Sequence, residues 1–130
     1  MDCPACGAPT LAFPVPADRR AYLPGDEPGA AICTRCLTLH PVADPPASVP
    51  DLQEVSAAFP ADDAAALPFA LMLGLLENLA LYREEIGELL ATVEAAGTDP
   101  LLALDRLAHD EAIDAAVDLQ GRRRQLEQLL

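Results

Sequence analysis

The sequence predicts an α+β fold: an N-terminal zinc ribbon with a short antiparallel sheet, followed by a C-terminal helical bundle or hairpin. Two observations predict it. The only four cysteines form two Cys-x-x-Cys pairs, Cys3/Cys6 and Cys33/Cys36, with 26 residues between them. Eleven of the 13 prolines fall within residues 1–60, which assigns loops and short strands to the first half and helices to the second. The expected units are a zinc ribbon over residues 1–43, a proline-rich linker with a short helix over 44–60, and a helical domain over 61–130.

Each cysteine pair can wrap one side of a tetrahedral ion, so Cys3, Cys6, Cys33 and Cys36 are the expected ligands of one structural Zn2+. A disulfide framework suits a secreted chain, and no signal peptide stands before Cys3. Rubredoxin-type iron uses the same pairs but packs aromatic rings round the metal, and residues 1–45 offer only Phe13 and Tyr22. Four thiolates close the coordination shell, which leaves no open position for a substrate. In Cys3-Pro4-Ala5-Cys6-Gly7, proline fixes φ inside the loop and the glycine permits a positive φ. Cys33-Thr34-Arg35-Cys36-Leu37 lacks that glycine, so a less regular turn is expected. Arg35 either offsets the thiolate charge or is solvated. His40 can in principle replace a cysteine, but with four cysteines present it is expected at the surface or in a turn.

Strands are expected at Thr10 to Val15, Ala30 to Ile32 and Leu37 to Val42, with a turn at Tyr22-Leu23-Pro24-Gly25-Asp26. Residues 44–50 carry consecutive prolines and read as a stiff linker. Asp51-Leu52-Gln53-Glu54 resembles a capping box opening a short helix. A long helix is expected from about Asp62 or Asp63 to Gly97, with Pro68 in its first turn. Leu75, Leu79, Tyr82, Ile86, Leu89 and Val93 alternate spacings of four and three, a coiled-coil-like seam. Before Leu76 this helix is apolar on nearly all faces and should be buried; Gly74 there permits close helix approach or is neutral. Asp99-Pro100 restarts the chain as cap and first residue of a short helix to Ala108. The last helix begins at about Glu111 or Asp118 and carries a stripe of Ala112, Ala116, Leu119, Arg123, Leu126 and Leu130. Gly121 is a poor helix former within it. Arg123 either pairs with Glu85 or Glu88 or lays its stem along the apolar face with its head in water.

The net charge is −13 from 21 acidic and 8 basic residues, and the basic residues are all arginine. Self-repulsion of this size destabilises a compact chain. At molar salt the Debye length falls to about 3 Å and most of that cost is removed. The balance therefore reads as a cytoplasmic protein of a salt-accumulating organism; a GC-rich genome would also exchange lysine for arginine. The longest uncharged apolar run, Ala64 to Leu76, is shorter than the roughly 20 residues a bilayer needs. Bulk acidity disfavours nucleic acid and anionic lipid as partners.

Arg122, Arg123 and Arg124 are the only basic cluster, either compensating a helix dipole with surface ion pairs or docking a phosphate or acidic partner. His109, near Asp105 and Asp110, is expected to cap a helix end. No glycine-rich phosphate loop, paired histidines or meaningful Ser/His/Asp order is present, so enzyme activity is not expected. The motif Cys3-Pro4-Ala5-Cys6-Gly7, the segment Cys33 to Thr38 and the ending Arg122 to Leu130 resemble a haloarchaeal family of small, largely uncharacterised CPxCG-type zinc-finger proteins. That resemblance implies zinc and a halophilic setting and adds no catalytic residue. Two functions follow. One is a non-enzymatic adaptor that binds a partner protein or self-associates as a homodimer through its helices. The other is a nucleic-acid-associated factor in transcription or translation that contacts phosphate through Arg19, Arg20, Arg35 or the Arg122 to Arg124 cluster. Cys33→Ser is expected to lower metal content and unfold the ribbon while the helices survive.

Overall fold

The computed structural model describes residues 2–23 and 25–129. Pro24 of the expected turn and Leu130 of the expected stripe lie outside the described residues. The fold class is the expected one: a three-stranded antiparallel sheet precedes a set of helices. Strands β1 (Thr10–Pro14), β2 (Gly29–Cys33) and β3 (Leu39–Val42) lie in the order β1-β2-β3. The register pairs Phe13 with Ala30, Leu11 with Ile32, Ile32 with Leu39, and Ala31 with His40. Because side chains alternate along a strand, Leu11, Phe13, Ala30, Ile32 and Leu39 share one face. Ala12, Ala31, Cys33 and His40 share the other.

The first face is apolar and packs on the helices. Phe13, Ala30 and Ile32 belong to one buried cluster with Phe59, Phe69, Leu76, Ile86, Leu104 and Leu126. Helix α1 (Asp63–Leu75) lies at its centre, with 10 of its 13 residues buried. Asp62 caps it by accepting from the Ala64 N–H at 3.0 Å, as the sequence predicts. Pro68 stands inside α1 rather than in its first turn. The hydrogen bond it forgoes would have reached the carbonyl of Ala64, an exposed residue where water can serve instead.

The long helix of the sequence reading is two helices. After α1 comes a 3-10 turn at Leu76–Asn78, then a bend, then α2 (Arg83–Ala95). Asn78 accepts from the N–H groups of both Leu81 and Tyr82 at the bend. The physical reason is burial. A straight rod would leave the all-round apolar surface of α1 in water, whereas the bend brings α2 onto it. The seam still exists, but it faces the chain's own core: Leu75, Leu79, Ile86, Leu89 and Val93 are all buried. At its end, Gly97 takes φ +94°. Its N–H reaches Glu94 O and that of Thr98 reaches Val93 O, a full Schellman motif.

Helix α3 (Pro100–Ala108) opens on Asp99 and Pro100 as expected, and His109 caps its end through Nδ1 against Asp105 O at 2.8 Å. Helix α4 (Leu119–Glu127) starts at the Asp118 cap and runs unbroken through Gly121. Ala112 and Ala116 therefore lie before the last helix, not on its stripe. Arg123 meets neither Glu85 nor Glu88. Its Nε donates to Leu101 O at 3.3 Å and its Nη1 pairs with Glu127 at 2.7 Å. Glu88 instead accepts from the Tyr22 hydroxyl at 3.3 Å. Asp51 does cap the short segment it precedes, but that segment is a single 3-10 turn, Leu52–Glu54.

Gly74 serves a strand, not another helix. A Cβ there would run into Leu39 Cδ1 of β3, so its absence lets the sheet lie against the α1 backbone. Gly74→Val is expected to destabilise the fold by about 1–3 kcal/mol through overpacking. Gly87→Ala on α2, where a Cβ meets nothing within 4 Å, is expected to stabilise it by about 0.5–1 kcal/mol. Denaturant midpoints of the two variants check both signs.

Candidate metal centre

Each cysteine pair sits in a turn built from the same two backbone bonds. In the first, Cys3 N donates to Ala8 O and Gly7 N to Cys3 O, both at 2.8 Å. In the second, Cys33 N donates to Thr38 O at 3.0 Å and Leu37 N to Cys33 O at 3.2 Å. Gly7 has φ +81° and Leu37 has φ +65°. The second knuckle is thus as regular as the first, contrary to the expectation drawn from its missing glycine. A leucine in the left-handed region costs about 1–2 kcal/mol. Burying that side chain, only 4% exposed in the main core, returns about 1.5–3 kcal/mol. Burial outweighs strain, and the residue that closes the knuckle also fastens it to the helices.

The two knuckles bring all four sulfurs within 4.8 Å of one another. Cys3 and Cys36 sulfurs are 3.7 Å apart and those of Cys6 and Cys33 are 3.3 Å apart. A tetrahedral ion with 2.3 Å bonds to sulfur needs edges of roughly 3.8 Å, so small adjustments would close the four around one cation. Cys3, Cys33 and Cys36 are buried and Cys6 is exposed. The cluster's buried apolar neighbour is Ala8, not an aromatic ring.

Polar groups surround the sulfurs. The N–H groups of Arg35 and Cys36 face Cys33 Sγ at 3.4 and 3.3 Å, so Arg35 serves through its backbone while its side chain is exposed. Thr38 Oγ1 lies 3.2 Å from Cys36 Sγ. His40 Nε2 lies 3.3 Å from Cys3 Sγ. The sequence reading placed His40 at the surface or in a turn; it stands on β3, half-buried, on the same sheet face as Cys33. The period-two alternation of Leu37 to His40 was the available signal, and it needed the β2–β3 register to become specific. Burial pushes the Cys3 thiol up, but hydrogen bonds from the Cys6 backbone, His40, the Ala5 backbone and Cys36 outweigh it. They bring its pKa from 9.0 to about 6.

The segment between α3 and α4 straps the second knuckle. Asp114 N donates to Arg35 O at 2.8 Å and Ala116 N to Cys36 O at 3.0 Å. This use of backbone N–H groups explains why the helix starts only at Leu119. Asp110 anchors the strap: it accepts from Ser56 Oγ at 2.6 Å and from Ala112 N at 2.9 Å. The Ser56 hydroxyl and then the Ala112 N–H hold its carboxyl below the usual range. A depressed carboxyl contributes stability above its unfolded pKa of about 3.9, and that contribution fades as pH falls through the lower folded value. Ser56→Ala should cost about 1 kcal/mol at pH 7, the low end for a bond to a half-buried charge. The part of that cost owed to the carboxylate should shrink as pH falls through the lowered folded pKa, while the part owed to the Ala58 N–H, which donates to Ser56 Oγ at 3.1 Å, remains. Urea titrations across pH measure it.

The Arg122 to Arg124 cluster does not converge. Arg122 donates to Gln125 Oε1 at 2.9 Å and to Glu77 O at 3.3 Å, Arg123 is tied as described, and Arg124 is exposed. Among the described residues, no helix is long and apolar enough to cross a membrane.

A family of unknown function, DUF6276, matches residues 2–130. The chain belongs to that family. No curated protein and no solved structure matches it. The match spans both knuckles, the strap and every helix, so the cysteine cluster and the helical core belong to one family unit.

Proposed function

We propose that the chain is a structural-zinc protein that works without catalysis, as an adaptor docking another protein in the cytoplasm of a salt-accumulating cell. The observation that carries the metal reading is the four-thiolate cluster. Its all-sulfur donor set suits zinc, and a closed shell suits a structural ion rather than a reaction centre. The lack of an aromatic ring among its buried neighbours favours zinc over rubredoxin-type iron.

The seam residues are occupied internally, so the partner surface is sought elsewhere. Leu81 at the bend is 72% exposed, more than any other large hydrophobic residue described. It borders a groove of about 590 Å³ whose lining includes Leu79, Leu129, Arg83, Arg122 and Glu77. Arg83 has no hydrogen-bonding or ionic partner among the described residues. Two of the chain's 8 basic residues thus line a groove of mixed polarity, with Leu79, Leu81 and Leu129 beside Asn78, Gln125 and Gln128, in a protein with 21 acidic residues. That local complementarity suits a partner segment carrying leucine and glutamate. Distant carboxylates are screened beyond about 3 Å at molar salt.

One zinc per chain by elemental analysis is expected. A short amphipathic Leu/Glu peptide should bind better than its Leu/Gln counterpart. Leu81→Asp and Arg83→Glu should each weaken it at least about tenfold, which is ~1.4 kcal/mol. Equal binding by all three proteins would remove the groove from the reading. A dimer that Leu81→Asp dissolves would give the groove to a second copy instead.

A further inference from the structure

The four sulfurs are not held alike. Cys33 Sγ faces two backbone N–H groups, Cys36 Sγ faces a hydroxyl, and Cys3 Sγ faces the Cys6 backbone, the His40 ring and the Ala5 backbone. The sole partner of Cys6 Sγ among the described residues is another sulfur, that of Cys33 at 3.3 Å. Cys6 is also the one exposed member of the cluster.

We propose that the metal enters and leaves at Cys6, and that His40 keeps Cys3 attached while it does. This rests on reading the cluster as a zinc site. A hydrogen bond to a thiolate spreads its charge and lowers its nucleophilicity. The ligand without an N–H or O–H donor keeps the most charge, and exposure lets water and electrophiles reach it. Opening at Cys6 would release that thiolate from the ion with its electron pair, leaving Cys3, Cys33 and Cys36 to hold it. No oxidant or reductant is consumed. Displacing any of the other three would first require solvent to enter a buried knuckle. His40 is a positioning residue in this scheme. It stands on β3, opposite Ala31 in the sheet, and so does not depend on the first knuckle for its own place.

The test uses the full chain loaded with zinc, its metal content measured first. Limiting iodoacetamide is added, each attack forming a C–S bond and expelling iodide, and the labelled peptides are mapped by mass spectrometry. Cys6 should label at least ten times faster than the other three cysteines. His40→Phe should raise Cys3 labelling toward that of Cys6 and speed zinc release to a chelator about tenfold. His40→Gln keeps an N–H donor and should restore both. Equal labelling of the four thiols at one zinc per chain, or Cys33 or Cys36 labelling first, overturns the proposal and leaves the zinc reading standing. Unchanged Cys3 labelling in a folded His40→Phe protein overturns the role of His40. If that variant fails to fold, the wild-type labelling order still decides where the cluster opens. A chain that binds no zinc overturns both readings.

Discussion

Cys33→Ser is expected to abolish metal binding and to unfold the helices together with the ribbon. Sequence reasoning alone expects the helices to survive. The difference comes from the core. Cys33 ends β2, whose neighbouring residue Ile32 is fully buried in the same cluster as Phe69 of α1 and Leu104 of α3. Leu37 closes the second knuckle and packs into that cluster, and the strap from Asp114 to Ala116 ties the knuckle to the segment before α4. A structural zinc contributes an apparent 10–16 kcal/mol in small zinc modules, about as much as the roughly 5–15 kcal/mol net stability of a whole domain. Losing such an ion would remove a free energy comparable to the net stability of a whole domain. Helical circular dichroism and metal content, followed together during chelation of the wild type and in the variant, should fall in one transition. A helical signal that persists in the metal-free variant would show two independently folding parts.

The features legible in the sequence are those fixed by local geometry. Cys-x-x-Cys spacing sets the reach of a knuckle without reference to the rest of the chain. The caps Asp51, Asp62, Asp99 and Asp118 act within three residues of themselves; the sequence singles out Asp51 and Asp99, and offers Asp62 beside Asp63 and Asp118 beside Glu111. The strand positions follow from prolines and alternation. The misreadings share a different cause. Heptad spacing from Leu75 to Val93 says which side of a helix is apolar, not which surface will cover it. A continuous helix and a bent pair carry the same spacing, and the choice rests on burying α1 on every side. Leu37 looked wrong for its knuckle because glycine is cheapest at positive φ. Tertiary burial made leucine the better residue, and no local rule contains that term. His40 and the strap depend on contacts between segments 37 and about 80 residues apart in sequence, from Cys3 to His40 and from Arg35 to Asp114.

Phe69→Ala should be the most damaging change that leaves the cysteines untouched, at about 3–5 kcal/mol. The ring is fully buried at the centre of α1, and it meets the Phe59 ring in a T-shaped contact with centroids 5.2 Å apart and planes at 89°. Phe59 lies beyond the 3-10 turn that follows the proline-rich linker, so this pair fastens the linker's end to the helical core. Area burial accounts for most of the loss. The edge-to-face contact should add about 0.5–1.5 kcal/mol, visible as coupling in a double-mutant cycle with Phe59→Ala. The bond from Gln53 Nε2 to Phe59 O, at 3.0 Å, helps hold that backbone whichever side chain stands there. The cycle therefore reports on the rings rather than on loss of the turn. Denaturant midpoints for the two single variants and the double variant supply it. A Phe69→Ala cost below about 1 kcal/mol would mean that the surrounding core collapses into the space, and that the pair does not fasten the linker.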